Sequence, residues 1–417
     1  MKKYLALILS VLFVLSFAAS AFAIHAEIPS ETQAVVAAKD VQITLGGSIR
    51  TRGWWKDNIT AVGALPLDAN SQSYYDQRVR LTLDAAVAPG VKGFVMLETN
   101  SGQSDIYTWG NFNSKPTGLD INEAWLVYSG SGLFGFNSGL KIGHMPLALG
   151  QKEFFDHTKF GDDAIVFFMS PTKQLEAALL TIKFDEGAKN NNTDDLDGYV
   201  GLLTYKWDDK NTVGVNYTYL NQSATDFSHQ NVGIHADGNI SGFGYKAFGD
   251  FQFGDNGQDS NFKGWAAGLG LSFNVNPVTL RVSGAYGTGN KEDDNDTKAF
   301  TTYLGADQHY TLIYEYQVAS AAGALYTGLN NTTYLNLGVD YNATKDLGLS
   351  VDGYWLQATE DRNGSDEIGW EVDAKAKYAL AKNLTYQVDA GYFDAGDMYG
   401  DNSKGVTLLR HTITLSF

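Results

Sequence analysis

The most constraining feature of this 417-residue sequence is a regular alternation of apolar and polar residues over long segments. In the segment EIGWEVDAKAKYAL, every second residue from Trp370 to Leu380 is apolar, and the residues from Glu371 to Lys377 that lie between them are charged. The same pattern recurs in NLTYQVDAGYF, YLNLGVDY, PVTLRVSGAYG and DQRVRLTLDAAV. A period of two residues is typical of β-strands whose two faces meet different environments.

Long strands with one apolar and one polar face indicate a closed barrel in a lipid bilayer. Lipid offers no hydrogen-bond partner to an unpaired backbone group, and closing the sheet into a barrel removes the edges where such groups would occur. The composition agrees: 45 Gly, 23 Tyr and 23 Phe stand against only 7 Pro, which favours strands and turns. We therefore predict an all-β fold, a transmembrane antiparallel up-and-down β-barrel in the outer membrane of a Gram-negative bacterium, with membrane lipid around it.

The connections between the strands support this architecture. Short links such as Ala88 to Gly90, Asp237 to Asn239 and Ala381 to Asn383 alternate with long polar ones, the longest at residues 290–328. This alternation predicts periplasmic turns at one end, extracellular loops at the other, and about eighteen strands.

The two ends of the barrel are predicted to meet. A first strand near residues 41–56 would pair with the last strand, which ends on Phe417. That ending resembles the carboxy-terminal assembly signal of bacterial outer-membrane proteins, which implies the barrel-assembly machinery as a partner.

The amino terminus reads as an export signal. Lys2 and Lys3 precede an apolar run, and Ala21-Phe22-Ala23 forms a cleavage site, so we expect a signal peptide at residues 1–23, a periplasmic leader at 24–40 and a single barrel at 41–417. The formal charge of −17 excludes a typical nucleic-acid-binding protein. The absence of Cys excludes disulfides, thiolate metal sites and covalently attached haem.

The segment from Gly369 to Asp397 resembles the closing hairpins of the alginate export family of outer-membrane porins, with a Glu-x-Asp strand, a short turn with Asn and an aromatic followed by Gly-Asp. Residues 78–98, 119–128 and 140–150 are similar to the early strands of that family. His144 stands where the family usually has Arg, and residues 305–316 match its late-loop motif loosely. The resemblance implies a monomeric barrel of about eighteen strands.

Two groups of charged residues are predicted to line the pore. Alternation turns Arg50, Arg52, Arg78 and Arg80 inward on adjacent strands, and a pore-lining basic strip with Arg281 would attract anionic solutes. Alternatively, Asp84, Glu98 and Glu123 neutralise these guanidinium groups. Opposite them we expect an acidic arc on later strands, formed by Asp340, Asp352, Glu371, Asp373 and Asp389.

The longest loop offers two further hypotheses. Its acidic start could bind Ca²⁺ through oxygen ligands or be a solvated tip; the residues concerned are Glu292, Asp293, Asp294 and Asp296. Its second half, YTLIYEYQVASAAGALYTG, is too apolar for a solvated loop. It would fold inward as a constriction near Asp307, His309 and Tyr310, or supply further strands.

These features predict an outer-membrane channel for passive passage of small hydrophilic or anionic solutes, or for export of an anionic polysaccharide. The alternatives are a sleeve for a periplasmic partner such as a redox protein and, less favoured, an outer-membrane hydrolase. None of the seven His residues lies in a recognisable catalytic or metal motif, so we expect no enzyme and no cofactor other than the possible Ca²⁺.

Overall fold

Eighteen antiparallel strands form a closed barrel in the computed structural model. The structure describes residues 34–38, 41–59, 67–99, 107–110, 118–132, 134–189, 193–257, 259–291, 293–305, 309–318, 328–362 and 364–417. The predicted signal peptide and most of the predicted leader lie outside the described residues. A short strand, Ala34–Ala38, pairs with the start of the first barrel strand.

The barrel strands are numbered in chain order: β1 Val41–Asp57, β2 Gln72–Ala88, β3 Val91–Thr99, β4 Leu119–Gly130, β5 Asn137–Met145, β6 Asp162–Ser170, β7 Leu175–Asp185, β8 Leu196–Asp208, β9 Asn211–Gln222, β10 Phe227–Ile240, β11 Phe243–Asn256, β12 Trp265–Val275, β13 Val278–Gly287, β14 Thr333–Asn342, β15 Leu347–Arg362, β16 Ser365–Ala381, β17 Leu384–Ala395 and β18 Val406–Ser416. Each strand pairs with the next, which is the up-and-down order that the sequence predicts.

The carboxy-terminal strand closes the barrel. Strand β18 pairs with β1 from Ser48 opposite Ser416 to Asp57 opposite Thr407. Beyond the end of β18, the backbone N–H of Phe417 donates to the carbonyl of Gly47 at 3.0 Å, and the Gly47 N–H donates to the Phe417 carbonyl at 2.7 Å. The first strand therefore satisfies the backbone of the last one, and the prediction that the two ends meet is confirmed.

One predicted turn is wrong. Asp237 to Asn239 lie inside β10, and the hairpin turns instead at Ser241 and Gly242, whose φ angles are +54° and +93°. Positive φ at both central residues is what a tight two-residue hairpin requires. Gly238 has another purpose, because a Cβ there would collide with the carbonyl of Lys210 and the side chain of Asn211.

The two faces of the strands meet different surroundings. On β14, Leu335, Leu337 and Val339 are exposed on the outside of the barrel, whereas Asn336 between them is buried inside. Exposed apolar side chains on an outer wall and buried polar ones within are the reverse of a soluble protein, and they suit a barrel surrounded by lipid.

Two segments fold into the interior. Residues 146–161 connect β5 to β6, and residues 309–318, here called the lumen loop, belong to the connection between β13 and β14. The short strand Phe155–Asp156 in the first segment pairs in parallel with Tyr303–Leu304, which precedes the lumen loop. Among the described residues, the long connection thus contributes no barrel strand, and residues 310–318 of its apolar half turn inward. No helix in the described part of the chain is long and apolar enough to cross a membrane.

Candidate functional site in the lumen

Four of the five arginines of the predicted basic strip, all except Arg281, lie on the inward faces of β1 and β2. Arg50 is directly opposite Arg78, and Arg80 is opposite Ser48 in the next inward row. Their outward neighbours on the two strands include the exposed Ile49. Register therefore concentrates these guanidinium groups on one patch of wall, as alternation predicts; their role in solute passage stays a prediction.

Two buried carboxylates form ion pairs with arginines of this strip. Arg52 Nε donates to Asp76 Oδ1 at 2.8 Å, and Asp76 also accepts from the indole of Trp54. Arg80 donates to Glu98, and Arg78 Nε lies 3.8 Å from the same carboxylate. Glu98 was among the anticipated partners, whereas Asp76 was not, although it shares the inward parity of Arg78 and Arg80.

Trp54 extends the strip toward the barrel seam. The guanidinium carbons of Arg52 and Arg410 both lie 4.9 Å from the centre of a Trp54 ring, and Lys56 Nζ lies 4.6 Å away. Such cation–π contacts hold several like charges near one another. Arg410 on β18 was missed from the sequence, although it lies on the polar side of the alternating stretch LLRHTITLSF.

The predicted acidic arc is present on β14 to β17, but it is neutralised from within. Arg281, which the sequence assigned to the basic strip, lies on β13 and is held by two of these acids. Its Nε donates to Asp340 at 2.8 Å and its Nη1 to Asp352 at 2.8 Å. Asp389 pairs in turn with Arg410, at 2.9 Å from Nη2. Arg281 is therefore separated from β1 and β2 and belongs to the acidic wall.

The other two acids of the arc hold the lumen loop. Glu371 is completely buried and accepts from the backbone N–H groups of Ile313 at 2.7 Å and Tyr314 at 2.8 Å. Asp373 accepts from the Leu312 N–H at 3.0 Å. Three successive backbone donors thus meet two carboxylates of β16, which is the arrangement by which backbone concavities bind anions.

Apolar packing holds the same loop. Ile313 and Val318 are fully buried, and with Leu312 they pack in a cluster that includes Phe393 of β17 and Leu408 of β18. At Gly391 an added Cβ would lie only 3.0 Å from Ile313 Cδ1, so the loop approaches the wall where β17 has no side chain. On the basic side, Lys56 Nζ donates to Gln317 at 2.6 Å.

His309 links the two inward segments. Its Nδ1 is 2.7 Å from Glu315, and its Nε2 is 3.7 Å from Asp156 in the 146–161 segment. Burial lowers the pKa of His309, but these two carboxylates outweigh burial and raise it to about 10. For Asp156 burial acts in the opposite direction and raises the pKa, but the contacts with His309 and Thr158 outweigh it and lower the pKa to about 2. The two groups therefore form an ion pair at neutral pH.

A cavity of about 770 Å³ lies between the two inward segments and the wall. Charged side chains from the inward segments and from the barrel wall line this cavity, together with Tyr310, Tyr334 and Tyr354. Tyr310 stacks on Tyr334 at 4.8 Å and accepts a backbone hydrogen bond from the Tyr354 hydroxyl at 3.1 Å. Burial raises the pKa of Glu153, at the cavity edge, to about 7. Of the residues predicted to form a constriction, His309 and Tyr310 line this cavity, and Asp307 lies outside the described residues; the constriction itself stays a prediction.

The acidic start of the long loop is engaged by lysines. Asp294 pairs with Lys298, and Asp296 with Lys263, which lowers the pKa of both carboxyls. Asp293 is described without such a pairing, and Glu292 lies outside the described residues. In the part of the chain that the structure describes, no group of three or more His, Cys, Asp or Glu side chains is placed to hold a metal. The Ca²⁺ hypothesis stays a prediction.

The family model for alginate export matches residues 41–408. The chain belongs to the alginate export family. No curated protein sequence matches it significantly. The family and the fold are those of non-enzymatic channels, and this member is a channel of the Gram-negative outer membrane.

Solved porin structures have the same architecture. Pseudomonas aeruginosa OccK5 (OpdH) matches with 14% identity and a TM-score of 0.58, over 89% of this chain and 98% of that chain. P. aeruginosa OccK8 (OprE) matches with 13% identity and a TM-score of 0.57 over the same shares. P. aeruginosa OpdK with vanillate matches with 10% identity and a TM-score of 0.57, again over 89% and 98%. At these identities the likeness establishes the fold.

Proposed function

We propose that this barrel passes small hydrophilic solutes, with a preference for anions, by passive diffusion past the lumen loop. The observation that carries the proposal is the pair of inward segments, which approach each other where His309 Nε2 lies 3.7 Å from Asp156 and together line a charged cavity of about 770 Å³. Sites for small molecules commonly measure roughly 300–1,000 Å³. With the loop docked, this space suits a small solute better than a polysaccharide chain.

The preference for anions rests on the basic strip. Arg50, Arg52, Arg78 and Arg80 concentrate guanidinium groups on two adjacent strands, and rings of Arg or Lys favour anions in pores. OpdK, which shares the fold, was crystallised with vanillate, a small organic anion. That observation agrees with the proposed class of solute without identifying the solute of this channel.

The inward segments also favour a channel over a protein sleeve, because a sleeve needs a lumen wide enough for its partner. We further propose that the barrel is a monomer, is inserted by the barrel-assembly machinery through its carboxy-terminal strand, and acts without chemistry. The histidines of the two inward segments support the last point, since His309 binds Glu315 and His157 binds Asp162 in contacts that hold loops.

The test is single-channel recording of the refolded protein in a planar bilayer under a salt gradient. We expect a reversal potential of the sign for anion selectivity, which moves toward zero when the four strip arginines become Gln. Lys345→Gln is the matched control, since that side chain is 90% exposed in a turn and its loss should leave selectivity unchanged. Cation selectivity in the unmodified channel, or a variant with unchanged reversal potential, would refute the proposal.

A further inference from the structure

A polar hollow lies behind the 146–161 segment, on the inward faces of β9, β10 and β11. Asn216, Gly233 and Asp250 occupy one row across the three strands. A Cβ on Gly233 would lie 2.6 Å from Asn216 Nδ2 and 2.7 Å from Asp250 Oδ1. The two side-chain heads therefore converge in the volume that a side chain at position 233 would occupy, and we call this polar cluster the Gly233 hollow.

The adjacent row on the same inward face carries two further polar side chains. Thr218 lies opposite Asn231, and Asn231 Nδ2 donates to Asp250 Oδ1 at 2.8 Å. Asn216, Thr218 and Asn231 are each at most 3% exposed. Within the described residues, Asn216 Oδ1, Thr218 Oγ1 and Asn231 Oδ1 have no hydrogen-bond partner. Three enclosed oxygens without donors are unusual, since buried polar atoms are nearly always satisfied.

The charge of the hollow is equally unbalanced. Asp250 is 7% exposed, and among the described side chains its hydrogen-bond partner is the Asn231 amide, with no Lys, Arg or His in an ion pair with it. Burying an unpaired carboxylate is strongly unfavourable, so this geometry calls for a cation or a proton.

We propose that the Gly233 hollow binds one monovalent metal cation, of the sodium or potassium class, through Asp250 and the three neutral oxygens of Asn216, Thr218 and Asn231. Hard cations prefer carboxylate, carbonyl and hydroxyl oxygens. A single carboxylate balances a single positive charge, whereas a divalent ion would leave an excess. Gly150 lies over the hollow, since a Cβ there would be 3.5 Å from Asn216 Nδ2. The 146–161 segment would thus cover the bound ion.

The test uses rubidium as the probe on the refolded mature barrel. We expect an anomalous diffraction peak above Gly233 in crystals grown in rubidium chloride. The apparent Tm should rise with rubidium chloride and saturate, compared with N-methylglucamine chloride at equal ionic strength. Asp250→Asn and Gly233→Ala should abolish both signals. Asp237→Asn is the matched control, because Asp237 is a buried acid on the same face of β10 that contacts Gln151 instead.

Several results would overturn the proposal. One is the absence of an anomalous peak, which would leave ordered water or a protonated Asp250 in the hollow. Another is a rise in Tm that persists in Asp250→Asn, which would make the salt effect general. Stabilisation by calcium without stabilisation by rubidium would overturn the monovalent assignment. If Gly233→Ala fails to fold, the diffraction experiment and Asp250→Asn decide alone. None of these readouts depends on the selectivity of the pore.

Discussion

Replacing Ile313 with Ala should release the lumen loop while leaving the barrel folded. The Ile313 side chain is fully buried and lies against Gly391 on β17. Truncation of a buried Ile to Ala costs about 2–5 kcal/mol. Because these contacts exist only when the loop is docked, the loss falls on the docking equilibrium. A central value of about 3 kcal/mol corresponds to a roughly 100-fold rise in the undocked population.

A thiol-labelling assay measures that population directly. The chain contains no Cys, so Val318→Cys places a single thiol at a fully buried site of the loop. With docking fast relative to labelling, the modification rate follows the undocked fraction. We expect Ile313→Ala to raise this rate roughly 100-fold.

Ile182→Ala provides the matched control for this experiment. Ile182 on β7 is 2% exposed and belongs to the other apolar cluster, so its truncation should destabilise the protein without releasing the lumen loop. Barrel integrity is followed by heat-modifiable gel mobility. A change of less than about tenfold in Ile313→Ala, or an equal change in Ile182→Ala, would show that Ile313 packing does not hold the loop.

Two other perturbations test the docking of the lumen loop, and a third tests the ion pairs of Arg281. Ile313→Cys combined with Gly391→Cys should form a disulfide, because the Gly391 Cβ position lies 3.2 Å from Ile313 Cγ1. In bilayer recordings, oxidation should suppress current changes caused by movement of the lumen loop, and a reductant should restore them. Current changes that respond to neither treatment would contradict docking of the loop. The pKa of His309 is raised to about 10, so its stabilisation of the docked loop is complete below the ordinary pKa of about 6.5 and is lost as the pH rises through about 10. Because thiolate formation at about pH 8.5 itself accelerates labelling, the Val318→Cys rate is divided by that of Lys345→Cys, a position that is 90% exposed. This ratio should rise at about pH 10, and a ratio that stays flat to about pH 11 would be inconsistent. Arg281→Met leaves Asp340 and Asp352 without their shared cation, so reversal potentials should shift toward cations while Arg281→Lys shifts them less; no shift would place this trio outside the ion path.

The fold was predictable because every strand of a membrane barrel alternates apolar residues facing lipid with polar residues facing the interior. Alternation in the segment from Trp370 to Leu380 gives both faces of β16, and the final Phe417 gives the closure with Gly47. The misplaced turn at Asp237 to Asn239 shows the limit of local signals. Glycine there accommodates Asn211, a contact from the neighbouring hairpin that composition alone does not reveal.

The site was predictable where it lies on strands and, through its apolar composition, in the lumen loop. Arg50, Arg78 and Glu371 follow from parity, as Asp76 and Arg410 would have done on a fuller reading of their strands. Glu153 and Asp156 lie in a segment without a period, so no pattern assigns them to the lumen. The ion pairs could not be predicted from alternation either, because alternation shows which face of the sheet a side chain lies on and not which strand carries its partner.

The placement of Arg281 reconciles the anion preference proposed above with the acidic composition of the protein. The sequence carries a formal charge of −17, yet each acid of the arc is occupied by a donor of the protein itself. Arg281 takes Asp340 and Asp352, Arg410 takes Asp389, and loop backbone amides take the two acids of β16. A solute beside the docked loop therefore meets acids that already have partners. Release of the loop would uncover Glu371 and Asp373, so undocking should weaken the preference for anions as well as widen the passage.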